Sequence, residues 1–275
     1  MIRNEYMTGS IFMHHTEGAE ATDDYDLHCH SQYELIYFED GDVSYLVEGR
    51  AVKPKPYSVI IMGPNMFHGV KVNSNEPYKR YVLHFSADAI PENARSMLLE
   101  PFERGLDKNY YENVRQFAFR ESFDDIYSCK SMPLDMQPIA VQAAVSGLLV
   151  KLLYMCRTVD DVTPKGSVNS AIGEVIKYLN ENISSPLSLE MLSKKFYISK
   201  HHMNKVFKKA TGTTVGKYVN YKRITQAQQL IMQGYSAARA ATEAGFGDYS
   251  SFYRAYTRLL GHVPSNDKIN GEDEQ

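Results

Sequence analysis

The sequence predicts an α+β chain of two domains. The first is an N-terminal β-barrel or double-sheet roll with helices after it; the second is a C-terminal all-α double helix-turn-helix. Three observations predict this. Short runs rich in Tyr, Val, Ile and Phe, broken by Gly and Pro, fill residues 1–90. Runs of that composition read as strands, and many in succession suggest a barrel or roll. From residue 92 the apolar positions recur at helical spacing. Finally, one structural unit is written twice at an offset of 49 residues, Ile198–Gly212 and Gly247–Gly261. We expect domains at 1–160 and 161–275.

The predicted strands are Tyr33–Phe38, Val43–Val47, Tyr57–Met62 and Tyr81–Phe85, separated by Gly41, Gly49, Pro54, Pro56, Gly63-Pro64 and residues 73–75. His28-Cys29-His30 stands just before the first, Glu34 within it, and Pro64 to His68 follows the third. On an extended chain His28 and His30 point to one face and Cys29 to the other. With Glu34 and His68 they offer three nitrogens and a carboxylate to one cavity. That set suits Zn, Fe or Mn; it equally suits hydrogen bonding to a small polar effector. Tyr33 and Tyr37 would add apolar faces with polar tips. We expect an effector site at His28, His30, Tyr33, Glu34, Tyr37 and His68, with no cofactor. His14, His15 and His84 have no partner at metal spacing and read as structural.

Residues 92–158 turn helical. Ile139, Val141, Val145, Leu148, Leu149, Leu152, Leu153 and Cys156 make a wide apolar band, which packs on the barrel, pairs with a second copy, or does both. Phe117–Phe123 reads as core. Residues 159–168 form a polar linker with Pro and Gly. Ile172, Val175, Ile176 and Leu179 open the C-terminal domain as an amphipathic helix, and 269–275 is an acidic tail.

In the repeated unit Ser199 matches Asp248 as a helix cap, and Gly212 matches Gly261 as a helix stop. Met203, Val206, Phe207 and Ala210 match Phe252, Ala255, Tyr256 and Leu259, the i, i+3, i+4, i+7 stripe of a helix with one buried face. The opposite faces hold His201, Asn204, Lys205 and Lys208, and Ser250, Tyr253, Arg254 and Thr257. Neither carries an acid, whereas a solvated face ordinarily mixes both signs. Hydrogen-bonding and cationic groups in that arrangement fit phosphates and base edges. Ser188 caps a short helix Leu189–Phe196 ahead of the first unit, and Ser236 opens Ala237–Ala244 ahead of the second. Gly216–Gln233 joins the two as a helix of roughly 27 Å, enough to hold two reading helices about one DNA turn apart.

Charge supports the division. Residues 169–265 hold nine Lys and four Arg against four Glu and one Asp, a balance of +8. The chain carries −3, so the remainder carries −11. A basic module on an acidic body is the electrostatic outline of a DNA binder with a separate sensor. Three scattered cysteines, Cys29, Cys129 and Cys156, argue for reduced thiols and a cytoplasmic setting. No membrane partner is expected, and the start lacks the apolar core of a signal peptide.

The C-terminal stretch resembles the DNA-binding domain of the AraC family of bacterial regulators. The matching pieces are Leu192-Ser193, Phe207-Lys208-Lys209 and Gly212, Tyr218, Arg223-Ile224, Ala227, Ala241, Gly245-Phe246, Phe252, Arg254, Tyr256 and Gly261 to Pro264. His28, His30, Glu34 and Gly41 resemble the first cupin motif, and Pro64 to His68 is a partial second one. Departures are Ala237 and Ala240 where large aliphatics are usual, Asp267 in place of an aromatic and Lys268 in place of Arg. The smaller residues bury less surface, so the second unit is expected to be the looser.

The resemblance implies a double-stranded DNA partner, a small-molecule effector (a sugar or polyol) in a cupin-like barrel, and a homodimer through the 92–158 helices. It leaves RNA polymerase open as a further partner. It assigns Lys200, Lys208, Lys209 and Arg258 to phosphates. His201, Asn204, Lys205, Tyr249, Ser250, Ser251, Tyr253 and Arg254 become base readers. An N-terminal arm within residues 5–20 would close over the effector. On this reading the chain is not an enzyme. The alternative is a metal-dependent cupin isomerase or oxygenase with an accessory helical domain.

Overall fold

Strands β1 (Ile2–Thr8), β2 (Ile11–Glu17), β3 (Asp26–His28), β4 (Tyr33–Asp40), β5 (Val43–Val47), β6 (Arg50–Val52), β7 (Ser58–Met62), β8 (His68–Val72), β9 (Lys79–Phe85) and β10 (Tyr110–Tyr111) form two antiparallel sheets in a computed structural model. It describes residues 2–18, 20–104, 108–160, 162 and 170–267. Most of the expected linker, Lys268 and the acidic tail lie outside the described residues. One sheet runs β1-β2-β9-β4-β7-β10 and the other β3-β8-β5-β6.

Strand periodicity sorts the side chains of the larger sheet. On its outer face lie Ile11, Met13, Leu35, Tyr37, Val59, Ile61, Tyr81, Leu83 and Phe85. Ile36, Phe38, Ile60, Met62 and Val82 face inward to Val43, Tyr45, Val47 and Val72 of the smaller sheet. The four predicted strands are all present, two of them, β4 and β9, longer than read. The expected arm is not: residues 11–17 pair with β9 along their length, and β1 pairs with β2. A hairpin built into the sheet edge cannot fold over a ligand.

Short helices α1 (Arg95–Leu98) and α2 (Glu100–Glu103) lead to α3 (Phe119–Ser128) and α4 (Gln137–Thr158), which cover the outer face. Phe119, Phe123, Val141, Val145, Leu148, Leu149 and Leu152 are buried there. By length and composition α4 is apolar enough to cross a membrane, contrary to the sequence expectation. Its buried residues share the core of the sheet, as in the central helix of a folded domain. Ile139, expected in that band, is 75% exposed, with Val150 and Tyr154 exposed on the same helix.

Helices α5 (Ser170–Glu181), α6 (Leu189–Phe196), α7 (Lys200–Thr211), α8 (Val215–Met232), α9 (Ala237–Glu243) and α10 (Tyr249–Leu260) follow. Their starts are fixed by local chemistry. Side chains of Ser188, Ser199, Thr214, Ser236 and Asp248 each accept a backbone N–H of the first turn. Around the second unit the core is small: Ala227, Ala240, Ala241, Ala244 and Ala255 surround Phe252 and Tyr256. Asp267 has a structural role there, accepting hydrogen bonds from the Tyr256 hydroxyl and from Gln228 Nε2.

The helices dock on the barrel through the turn between β5 and β6. Glu48 sits at its tip with φ 47° and is 2% exposed. Its carboxylate accepts hydrogen bonds from Lys222 Nζ and Tyr218 Oη of α8, from Asn180 Nδ2 of α5 and from the Phe67 backbone N–H. Phe67, Leu27 and Cys29 of the barrel share one core with α5, α6, α7 and α8. Gly212, the stop of α7 at φ 76°, lies so close that a Cβ there would meet Leu27 Cδ1 at 2.4 Å.

Candidate nucleic-acid interface and effector cavity

The polar faces of α7 and α10 are turned to solvent. Buried Met203 and Phe207 anchor α7, which leaves His201, Lys205, Lys208 and Lys209 exposed. Phe252, Ala255 and Tyr256 anchor α10, with Tyr249, Ser250, Tyr253, Arg254 and Arg258 exposed. Among the described residues Lys205, Lys208, Lys209 and Arg258 form no ion pair, so their ammonium and guanidinium groups are available to phosphates. Lys200 is 3.3 Å from Glu190 of α6, an exposed pair of little energetic weight. Arg254 Nη2 donates to Ser251 Oγ at 3.3 Å, which orients the guanidinium along its own helix.

One predicted base reader is placed otherwise. Asn204 is half-buried, and its Oδ1 accepts the Val215 backbone N–H at 3.3 Å. It ties α7 to the start of α8, because a short amide at that position reaches the orphan N–H of the next helix. Thr257 is also half-buried. Sequence reasoning missed Tyr197, in the turn between α6 and α7. It is 94% exposed in the left-handed region at φ 55°. An aromatic residue there holds a costly backbone conformation at the C-cap of α6 without burying its ring.

Between the two sheets lies a cavity of about 380 Å³, lined by His28, Glu34 and His68 together with Phe12, His14, Thr16, Tyr45, Tyr78, Arg80 and His84. His30, expected in the effector site, is not among its lining residues and meets it through Glu34, and neither Tyr33 nor Tyr37 lines it. They stand at odd positions of β4, opposite Glu34 and Ile36, and pack outward against Phe85, Phe102 and Phe119. His14 and His84 do line it, in contrast to their structural reading. His15, next in sequence to His14, points outward and stacks on Tyr81 at 4.2 Å between ring centroids.

Glu34 Oε2 lies 3.1 Å from His30 Nε2, 2.8 Å from His68 Nε2 and 4.0 Å from His84 Nδ1. Burial would raise the Glu34 carboxyl; His68 and His30 outweigh it and hold the group well below the usual range. Burial would lower His68, but Glu34 beside it raises it instead. Burial pushes His84 down to about 4 and also lowers His28, so both rings are neutral near neutral pH.

One donor atom from each of His28, His30, Glu34 and His68 lies within 4.8 Å of all the others. The Nδ1 atoms of the three histidines contact backbone carbonyls of Asp26, Gln32 and Met66 at 3.1, 3.2 and 2.8 Å. With an ion at the centre, the rings of His30 and His68, donating from Nδ1, would exchange their Nε2 contacts with Glu34 for the ion, which is how second-shell partners orient metal-binding imidazoles. The donor set therefore fits a divalent ion such as Zn, Fe or Mn.

Two family models match the chain, an AraC-like ligand binding domain over residues 14–133 and a helix-turn-helix domain over 192–268. The chain belongs to the AraC family. The HTH-type transcriptional activator RhaR of Escherichia coli (strain K12) is 29% identical over 120 residues, 43% of this chain and 43% of that protein. The match thus spans less than half the length of this curated relative. Among solved structures, ToxT from Vibrio cholerae is 13% identical over 94% of this chain and 97% of that one, at a TM-score of 0.41. The DNA-binding domain of AdpA, in complex with a target DNA, is 25% identical over 35% of this chain and 87% of that one, at a TM-score of 0.34.

Within this AraC-type chain the cavity residues that the sequence left unassigned come from β2, β5 and β9. The signal was available for three of them. Thr16 and His14 alternate with buried Met13 and outward His15, and Arg80 alternates with Tyr81. What the sequence lacked was the pairing of β2 with β9, which brings Thr16 opposite Arg80 and His14 opposite Val82.

Proposed function

We propose that this chain is a sequence-specific, DNA-binding transcription regulator controlled by a small polar effector bound inside the barrel. It is organised as domains 1–160 and 161–275. The observation that carries the reading is the pair of exposed, acid-free faces at matching positions of a repeated unit on α7 and α10. Lys200, Lys208, Lys209 and Arg258 hold phosphates; His201, Lys205, Tyr249, Ser250, Ser251, Tyr253 and Arg254 meet base edges. The barrel cavity is a binding site and not a catalytic one.

The coupling is linkage. An effector that prefers one arrangement of barrel and helices shifts the population competent for DNA. The buried contacts of Glu48 with Lys222, Tyr218 and Asn180 are the element it biases. The exposed α4 face at Ile139, Val150 and Tyr154 joins two copies into a dimer. The setting is the cytoplasm, and RNA polymerase is the machinery acted upon.

The test is footprinting of the purified chain on DNA flanking its own gene, with and without candidate effectors. Protection of a discrete site, altered by one effector, is expected. Equal affinity for every sequence at moderate salt would end the proposal.

The Nδ1 contacts of His28, His30 and His68 favour a second element in the same reading, a divalent ion that helps seat the effector. Metal analysis of the purified protein should find near-stoichiometric metal, lost in His28→Ala. Absence of metal after growth and purification without chelator would remove the ion from the site.

A further inference from the structure

Arg80 stands in the cavity wall without a negative partner. Its Nη1 donates to the Tyr45 hydroxyl at 3.1 Å, and its guanidinium carbon lies 5.0 Å from the centre of the Tyr78 ring. The Tyr45 and Tyr78 hydroxyls hydrogen-bond to each other. The Arg80 Nε is buried and has no hydrogen-bond partner. Among the described residues no carboxylate comes within ion-pair distance of Arg80.

Three acids line the same cavity, and none neutralises it. Glu34 is engaged by His30 and His68. Glu20 and Asp26 are exposed at the rim. A guanidinium is always charged, presents five donors in a rigid fork, and matches a carboxylate in two parallel hydrogen bonds. Withdrawing such a cation from water with only neutral acceptors is costly. A protein tolerates that arrangement where a ligand supplies the missing charge.

The remaining walls specify the rest of the ligand. His14, Thr16 and His84 line the same cavity as Arg80 and supply side-chain donors and acceptors for ligand hydroxyls. Phe12, Ile36, Val70 and Val72 give apolar contact. A cavity of about 380 Å³ is at the small end for ligand sites.

We propose that the effector is a small polyhydroxy carboxylic acid, such as a uronic or aldonic acid, whose carboxylate binds the fork of Arg80. The inference rests on the barrel being the effector site and sharpens the expected sugar or polyol into an acid. Binding is measured by calorimetry on the full chain with galacturonate, glucuronate, gluconate and galactarate. Each is compared with its neutral counterpart: galactose, glucose, glucitol or galactitol.

At least one acid is expected to bind roughly tenfold to a hundredfold more tightly than its neutral counterpart. Arg80→Gln should abolish that preference, and Arg80→Lys, which keeps charge but not the fork, should reduce it. Every neutral compound binding at least as well as its acid, or no acid binding at all, overturns the proposal, and neither result needs a variant to fold. Preference lost in EDTA but kept in Arg80→Gln would place the carboxylate on an ion at the histidines and also overturn it. DNA binding is assayed in parallel with and without each ligand. Absence of sequence-specific binding in both states sinks the regulator reading and leaves the acid preference to be judged separately.

Discussion

Arg254 and Lys208 illustrate two kinds of contact with one nucleic acid. Arg254 is held along α10 by Ser251. If it reads a base edge, Arg254→Ala costs about 1–3 kcal/mol and relaxes preference at one base step. Equal loss on all sequences, measured by competition binding, would reassign it to phosphate. Lys208 is exposed near the end of α7, where the charge is unpaired among the described residues. Lys208→Ala should weaken every site and lower the slope of affinity against salt by about one unit. An unchanged slope would take it off the interface. These exposed positions were legible from the helical wheel because burial of Met203, Phe207, Phe252 and Tyr256 fixes which way each helix turns. Asn204 was not. Its reach to the Val215 N–H depends on where α8 begins in space, and helical periodicity carries no such information.

At the scale of elements, the turn between α6 and α7 holds the most improbable backbone. Tyr197 caps α6 in the left-handed region, where side chains other than Gly are disfavoured by about 1–2 kcal/mol. Tyr197→Gly should therefore raise the unfolding midpoint by an amount matching about 1 kcal/mol, since almost no contact is lost. If the ring meets DNA, affinity falls while stability rises. A variant less stable than wild type would show that the ring packs after all.

Helix ends were the most readable feature of the chain, because a cap is a local bond. Ser188, Ser199, Ser236 and Asp248 all bond where the sequence placed them. Strand facing was less well read. Tyr33 and Tyr37 were grouped with Glu34 although odd and even positions of a strand face opposite ways. The arm expected within residues 5–20 comes from the family resemblance alone, and the pairing of β2 with both β1 and β9 that replaces it is a long-range fact no local pattern carries.

At the scale of the whole molecule, the union of barrel and helices rests on a buried ion pair. Glu48 is 2% and Lys222 8% exposed. Removing one member of such a pair costs about 3–5 kcal/mol, because the other charge is left without compensation. Cys29 lies at the same junction, where Thr225 Oγ1 donates to its carbonyl at 3.3 Å. Burial pushes its thiol up to about 11. Only the thiolate reacts, so at pH 9 Cys29 should alkylate slowly in wild type, and its rate should keep rising with pH towards about 11. In Glu48→Ala, on a background of Cys129→Ser and Cys156→Ser, the rate at pH 9 should increase at least tenfold and level off near the free-thiol value of about 8.5. An identical pH profile in both proteins would show that the junction does not open. None of this was visible in the sequence. Glu48 and Lys222 lie far apart in the chain, and a Glu-Gly hairpin tip reads as an ordinary solvated turn.

The same hairpin tip constrains how these modules are exchanged. Grafting the reading helices of this chain onto a foreign barrel without an acid at that turn would strand the Lys222 ammonium in an apolar seam. A barrel carrying Glu48 beneath foreign helices would strand a carboxylate. Chimeras that transfer the turn and α8 together should be soluble, and those that split them should be expressed mainly as aggregate.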